Sequence, residues 1–180
     1  MLTVAPSSAG QEDLSISMRL ERSEQVYRTQ GPEAALPEFQ MLAELPEGEV
    51  DKASRAIAIG FIGEIHWRLG HYEQARHELE RAVEMKRKLG ARLQEGKALN
   101  VLGLLFWDLG DYEQACQTYT DVLRLRRRSL GGKHPLVVCD MHNLATALRA
   151  RGASDATLEL LREAERVSHE VHGDRHPASF

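Results

Sequence analysis

The nine residues WRLGHYEQA at 67–75 return as WDLGDYEQA at 107–115, with seven of the nine letters kept across a spacing of 40. This recurrence constrains the fold more than any other feature, because self-similarity at such a period means copies of one supersecondary unit. The glycine of the repeated turn extends the series. Gly31, Gly70, Gly110 and Gly152 lie 39, 40 and 42 residues apart. LGGKHP at 130–135 and HGDRHP at 172–177 are also 42 apart. The reading divides the chain into a flexible segment 1–14, units at 15–48, 52–91, 92–133 and 134–173, and the truncated start of a further helix at 174–180.

Each unit reads as two helices. Before the turn, Ile59, Ile62, Gly63 and His66 in one copy, and Leu99, Leu102, Gly103 and Phe106 in the next, follow the i, i+3, i+4, i+7 spacing of one helix face. After it, Ala75, Leu79 and Ala82, then Ala115, Tyr119 and Val122, follow i, i+4, i+7. The turn glycine suits the left-handed position that ends the first helix. Asp111 is a good N-cap for the second helix, with Gln114 placed as in a capping box, whereas His71 should cap less well. Gly63, Gly103 and Ala145, and across from them Ala75 and Ala115, let helices approach closely; Tyr72 and Tyr112 are expected to wedge between neighbours. A generic bundle accounts for the apolar spacing but not for Gly, Tyr and Ala recurring in register.

These residues resemble the tetratricopeptide repeat. Its pattern reads off Leu102, Gly103, Gly110, Tyr112, Ala115, Tyr119 and Val122, and off Ile62, Gly63, Gly70, Tyr72, Ala75, Leu79 and Ala82. The family period is about 34 residues; the longer spacing here is similar to the subclass of kinesin light chains and bacterial regulatory proteins. Unit one departs, with Ser23 and Glu24 at places for small or apolar residues and a one-residue deletion needed to align Ala35, Phe39 and Leu42. Unit four has Ser154 and Thr157 at the Tyr and Ala places and is expected to be looser. The resemblance implies an all-α, right-handed solenoid of stacked antiparallel helix pairs whose first helices line a concave groove. It also implies a non-catalytic scaffold that binds a peptide or helix, from another protein or from another segment of its own.

By repeat position, Phe61, Glu64 and Arg68 of unit two face the groove, with Gly60 and Trp67 beside them. Unit three offers Asn100, Leu104, Trp107 and Asp108, with Lys97 and Val101, and unit four His142, Asn143, Thr146 and Arg149, with Cys139. Asn100 and Asn143 lead, since an amide both donates and accepts and can pair with any peptide backbone; the competing reading has them bonding the next repeat. The first helices at 56–69 and 98–109 are apolar nearly all round, as expected of helices buried on every side. Either their large side chains pack between repeats, or some of Phe61, Leu104 and the two tryptophans surface in the groove.

Seven cations cluster at the ends of two second helices: Lys86, Arg87 and Lys88, then Arg124, Arg126, Arg127 and Arg128. Cations suit helix C-termini. In register they could also form a basic edge toward an acidic protein or a nucleic-acid backbone. A net charge of −4 supplies no general attraction to nucleic acid or anionic membrane, and no apolar run approaches a membrane span. Cys116 and Cys139 have neither disulfide-scaffold nor metal spacing and read as reduced thiols of a cytoplasmic chain. His169, His172 and His176 do not make a convincing metal set, because Gly173 should end the helix between them. No nucleophile constellation or phosphate loop is present, so no cofactor or enzymatic activity is expected. The closing GDRHPASF enters another helix without a polar cap, which suggests either self-association through the last repeat or a larger protein. In the second case the chain would be the sensor arm of a bacterial signalling protein, ahead of a caspase-like CHAT peptidase or nucleotide-switch domain.

Overall fold

The computed structural model describes residues 15–172, so the expectations for 1–14, 174–180 and His176 lie outside the described residues. Within them run eight helices: α1 (Ile16–Gln30), α2 (Pro32–Glu44), α3 (Lys52–Arg68), α4 (Tyr72–Lys88), α5 (Arg92–Asp108), α6 (Tyr112–Leu130), α7 (Pro135–Ala150) and α8 (Ser154–His172). Each packs against the next in chain order, and α1 and α5 also touch α3. Contacts that run only between near neighbours make an all-α solenoid of four hairpins.

The hairpin corners follow from their sequence. Gly70 and Gly110 take φ of 77° and 75°, a region open to glycine. Their N–H groups bond the carbonyls of Trp67 and Trp107, and the next residues, His71 and Asp111, bond His66 and Phe106. These are the paired bonds of a Schellman ending. Asp111 then accepts from the Gln114 N–H at 3.1 Å, whereas His71 makes no capping bond. The reciprocal half of a capping box is not formed, because the Asp111 N–H is already given to Phe106.

Close approach explains the small residues. A Cβ on Gly63 would lie 2.7 Å from Leu79 Cγ, and one on Gly103 would lie 2.6 Å from the Tyr119 ring. Ala75 and Ala115 are fully buried opposite. Of the two corner tyrosines, Tyr112 packs against Trp107 of the neighbouring α5 with ring centroids 5.0 Å apart, whereas Tyr72 lies exposed rather than wedged between helices. In the first unit Ala35, Phe39 and Leu42 are buried as the shifted alignment requires. Ser23 fits the interior by donating to the Arg19 carbonyl at 2.9 Å. Thr157 likewise fills an alanine place by bonding the Ala153 carbonyl at 2.7 Å.

Candidate functional site: the first-helix face

A cavity of about 290 Å³ opens between α1, α3 and α5. Glu24 comes from α1, Ile57, Gly60, Phe61 and Glu64 from α3, and Gln94, Lys97, Ala98 and Val101 from α5. Lys86 closes it from behind, on α4. It reaches that position because Gly60 has no side chain: a Cβ there would sit 2.6 Å from Lys86 Nζ.

The walls are set by packing. Phe61 stacks on buried Phe39 at 4.5 Å with rings nearly parallel and meets Tyr27 edge-on at 5.8 Å. It is therefore half core and half cavity wall. Glu64 accepts from the Tyr27 hydroxyl at 2.7 Å and pairs with Arg68 at 3.2 Å. Burial, reinforced by Glu64, holds the Tyr27 hydroxyl well above its usual range. Glu24 pairs with Arg28 at 3.1 Å. Both acids on the cavity thus have their own cation, while Lys86 and Lys97 have no ion pair or hydrogen bond among the described residues. Lys86 is only 6% exposed. Its ammonium is pulled down to about 8, first by burial and then by Lys97, with Glu64 opposing.

Two bridges tie successive first helices together. Trp67 donates its indole N–H to Asp108 at 2.7 Å, and Arg68 lies over the rings of Tyr27 and Trp67 at 5.6 and 5.7 Å. Asn143 donates to Asn100 at 3.0 Å. Each amide spends one bond on its neighbour and keeps capacity on the other atom. Both tryptophans are half-buried, as is Leu104, whereas His142, Thr146 and Arg149 are exposed. Phe61 and Glu64 share the cavity with Gly60, Lys97 and Val101; the other named groove residues lie outside its lining.

Two of the seven cations expected at the basic edge, Lys86 and Arg126, are buried rather than at a surface. Arg126 is ion-paired with fully buried Asp140, leaving Arg126 Nε and Asp140 Oδ2 without partners. Burial pushes the Asp140 carboxyl up to about 6 against the pull of Arg126. Four more cations are neutralised: Arg87 by Glu95 at 2.9 Å, Lys88 by Glu84 at 2.6 Å, Arg124 by Asp121 at 3.0 Å and Arg127 by Glu163 at 2.8 Å. Only Arg128 of the seven is exposed with no acid beside it among the described residues. Register explains these two burials. Lys86 continues the buried series Ala75, Leu79, Ala82, and Arg126 continues Ala115, Tyr119, Val122.

Stacked helical hairpins with their first helices on one face define a class of superhelical repeat proteins. The sequence matches the tetratricopeptide repeat over residues 56–89 and again over 94–170. The chain belongs to that family. Solved structures agree on the fold. A Podosopora anserina protein described as a kinesin light chain with nearly identical TPR-like repeats superposes with a TM-score of 0.76 at 17% identity, over 91% of this chain and 80% of that one. BtubC from P. vanneervenii gives 0.77 at 18% identity, over 90% and 66%. MamA gives 0.68 at 16% identity, over 86% and 79%. No curated protein sequence matches the chain. Among the described residues, no helix is long and apolar enough to cross a membrane.

Proposed function

We propose that the chain is a non-catalytic scaffold that holds an extended peptide or a helix of a partner protein along its first-helix face. The observation that carries this reading is the cavity between α1, α3 and α5, the helices that a stacked-hairpin solenoid presents on one side. Concave, partly apolar recesses with a few fixed polar groups are where ligands are held. The Asn100–Asn143 pair adds amide atoms suited to a peptide backbone. The free thiols Cys116 and Cys139 suit a reducing compartment, which we take to be the cytoplasm.

A displayed library of random peptides selected on the intact chain tests this reading. Selected peptides should lose at least about tenfold in affinity on Asn100→Ala with Asn143→Ala, the equivalent of roughly 1.4 kcal/mol. Unchanged affinity in a folded double variant would remove the amides from the site. A library that yields no binder would remove the groove reading itself.

A further inference from the structure

The corner between α3 and α4 differs from its counterparts at two linked positions. In a Schellman ending, a last-turn residue and the residue after the glycine join through the backbone, and side chains around them meet. In unit four these two residues are Leu148 and Ala153, with the Ala153 N–H on the Leu148 carbonyl at 2.9 Å. In unit three they are Phe106 and Asp111. In unit two both are histidines. The His71 N–H bonds the His66 carbonyl at 2.8 Å, and the two imidazoles face each other with Nδ1 to Nδ1 at 3.3 Å. Two neutral imidazoles can share one proton at this distance. The same distance also suits two ligands of one metal ion. Zinc–imidazole bonds of about 2.0–2.1 Å at the tetrahedral angle set the nitrogens about 3.3–3.4 Å apart, whereas right-angle ligation would bring them to about 2.9 Å.

We propose that His66 and His71 chelate one zinc ion through their Nδ1 atoms, with water in the remaining positions. His66 is half-buried and His71 exposed, so the pair is anchored on one side and open to solvent on the other. Neither ring has a further hydrogen bond or ion pair among the described residues. The final turn of α3 holds His66, and the corner at Gly70, with φ of 77°, holds His71; little ordering remains to be done when the ion binds. Burial, and then His71, keeps the His66 imidazole below its usual range, with Glu78 opposing. The ring is therefore neutral near pH 7, as a metal ligand must be. Glu78, farther along α4, adds a negative field that favours a cation at the pair. No third His, Cys, Asp or Glu completes a ligand set among the described residues, which makes this an open site rather than a closed structural one. Bound zinc joins the two sides of a corner that lacks the side-chain cap Asp111 supplies one repeat later. Its binding should stabilise the α3–α4 hairpin, since a ligand of the folded state alone raises stability.

The test titrates zinc chloride into the full, untagged chain at neutral pH. The side-chain NMR signals of His66 and His71 should shift together and saturate at one ion per chain, and the thermal midpoint should rise with free zinc. Cobalt(II) in place of zinc should give the intense visible bands of a tetrahedral centre. Magnesium, which prefers oxygen ligands, should move neither signal. His66→Leu and His71→Ala each install the residue that unit four carries at the same corner place, where the Schellman bond forms. Each should weaken zinc binding at least about tenfold, equivalent to roughly 1.4 kcal/mol. His77→Ala removes an exposed neighbour outside the pair and should leave the affinity unchanged. The proposal is overturned if neither signal saturates, if only one of them moves, if magnesium acts as zinc does, or if cobalt gives only the weak bands of an octahedral ion. Undiminished zinc affinity in either folded single variant would overturn it too, by placing the ion at other histidines. The NMR and cobalt readings on the unaltered chain decide the matter even where a variant fails to fold.

Discussion

Lys86 and Arg126 sit at equivalent places on the second helices of successive repeats, and both are buried. Arg126 meets Asp140 across its junction; Lys86 faces Ala98 and a cavity. The scaffold around the two places is the same: a glycine-capped corner, a small residue at each close approach, and a cation that continues the apolar stripe. The two junctions differ at several places, among them Gly60 against Asn100, Lys86 against Arg126 and Ala98 against Asp140. Repeats can thus hold their architecture through the corner residues while the residues at each junction vary.

The largest effect should come from breaking the closed junction. Asp140→Ala strands Arg126 in the interior and should lower stability by about 3–5 kcal/mol, whereas Arg126→Met with Asp140→Ala should recover most of the loss. Urea unfolding of the single and double variants measures both, and a loss under about 1 kcal/mol in the single variant would mean that the pair does little at this junction. Next, Gly63→Ala and Gly103→Ala should each cost roughly 1–3 kcal/mol, because the added methyl meets Leu79 or Tyr119. Similar losses at the two sites would show that the scaffold is common to both repeats; a large disparity would confine the similarity to sequence.

Relieving the open junction should have the opposite sign. Lys86→Met removes an unpaired buried charge and should stabilise by roughly 1–2 kcal/mol at neutral pH. The folded chain holds Lys86 at about 8, below the usual 10.5, so between these values the unfolded chain binds more protons. Wild-type stability then rises with pH through that window. The advantage of Lys86→Met should be full below pH 8 and fade toward 10.5. A gain that is flat with pH would show that packing, not charge, is responsible. The smallest effect concerns the corners. His71→Asp should install the cap that Asp111 already makes and add about 0.5–1 kcal/mol, read as a rise in thermal midpoint.

Much of the fold was legible because its signals are local. Gly70, Gly110, Gly63 and Gly103 recur in register, and each is explained by a turn or a contact within its own hairpin. The candidate site was legible only in part. Phe61 and Glu64 line the cavity together because first-helix positions share a face. The Asn100–Asn143 contact remained open, since an amide suits a neighbour and a peptide equally well. By its charge Lys86 reads as a surface cation, but by its register it belongs to the buried stripe. The series Ala75, Leu79, Ala82, Lys86 faces inward.

By itself the sequence determined the repeat, the helix pairs, the corner geometry and the family, because these depend on backbone conformation and on spacing along the chain. The tertiary structure decided where the cations go and which acids they meet. Arg126 meets Asp140 on the next helix, Lys86 reaches a cavity lined from α1, α3 and α5, and Glu64 takes the Tyr27 hydroxyl from α1. A charge is stabilised or left exposed to cost by what stands within a few ångströms of it in space, and only the stacked hairpins fix that distance.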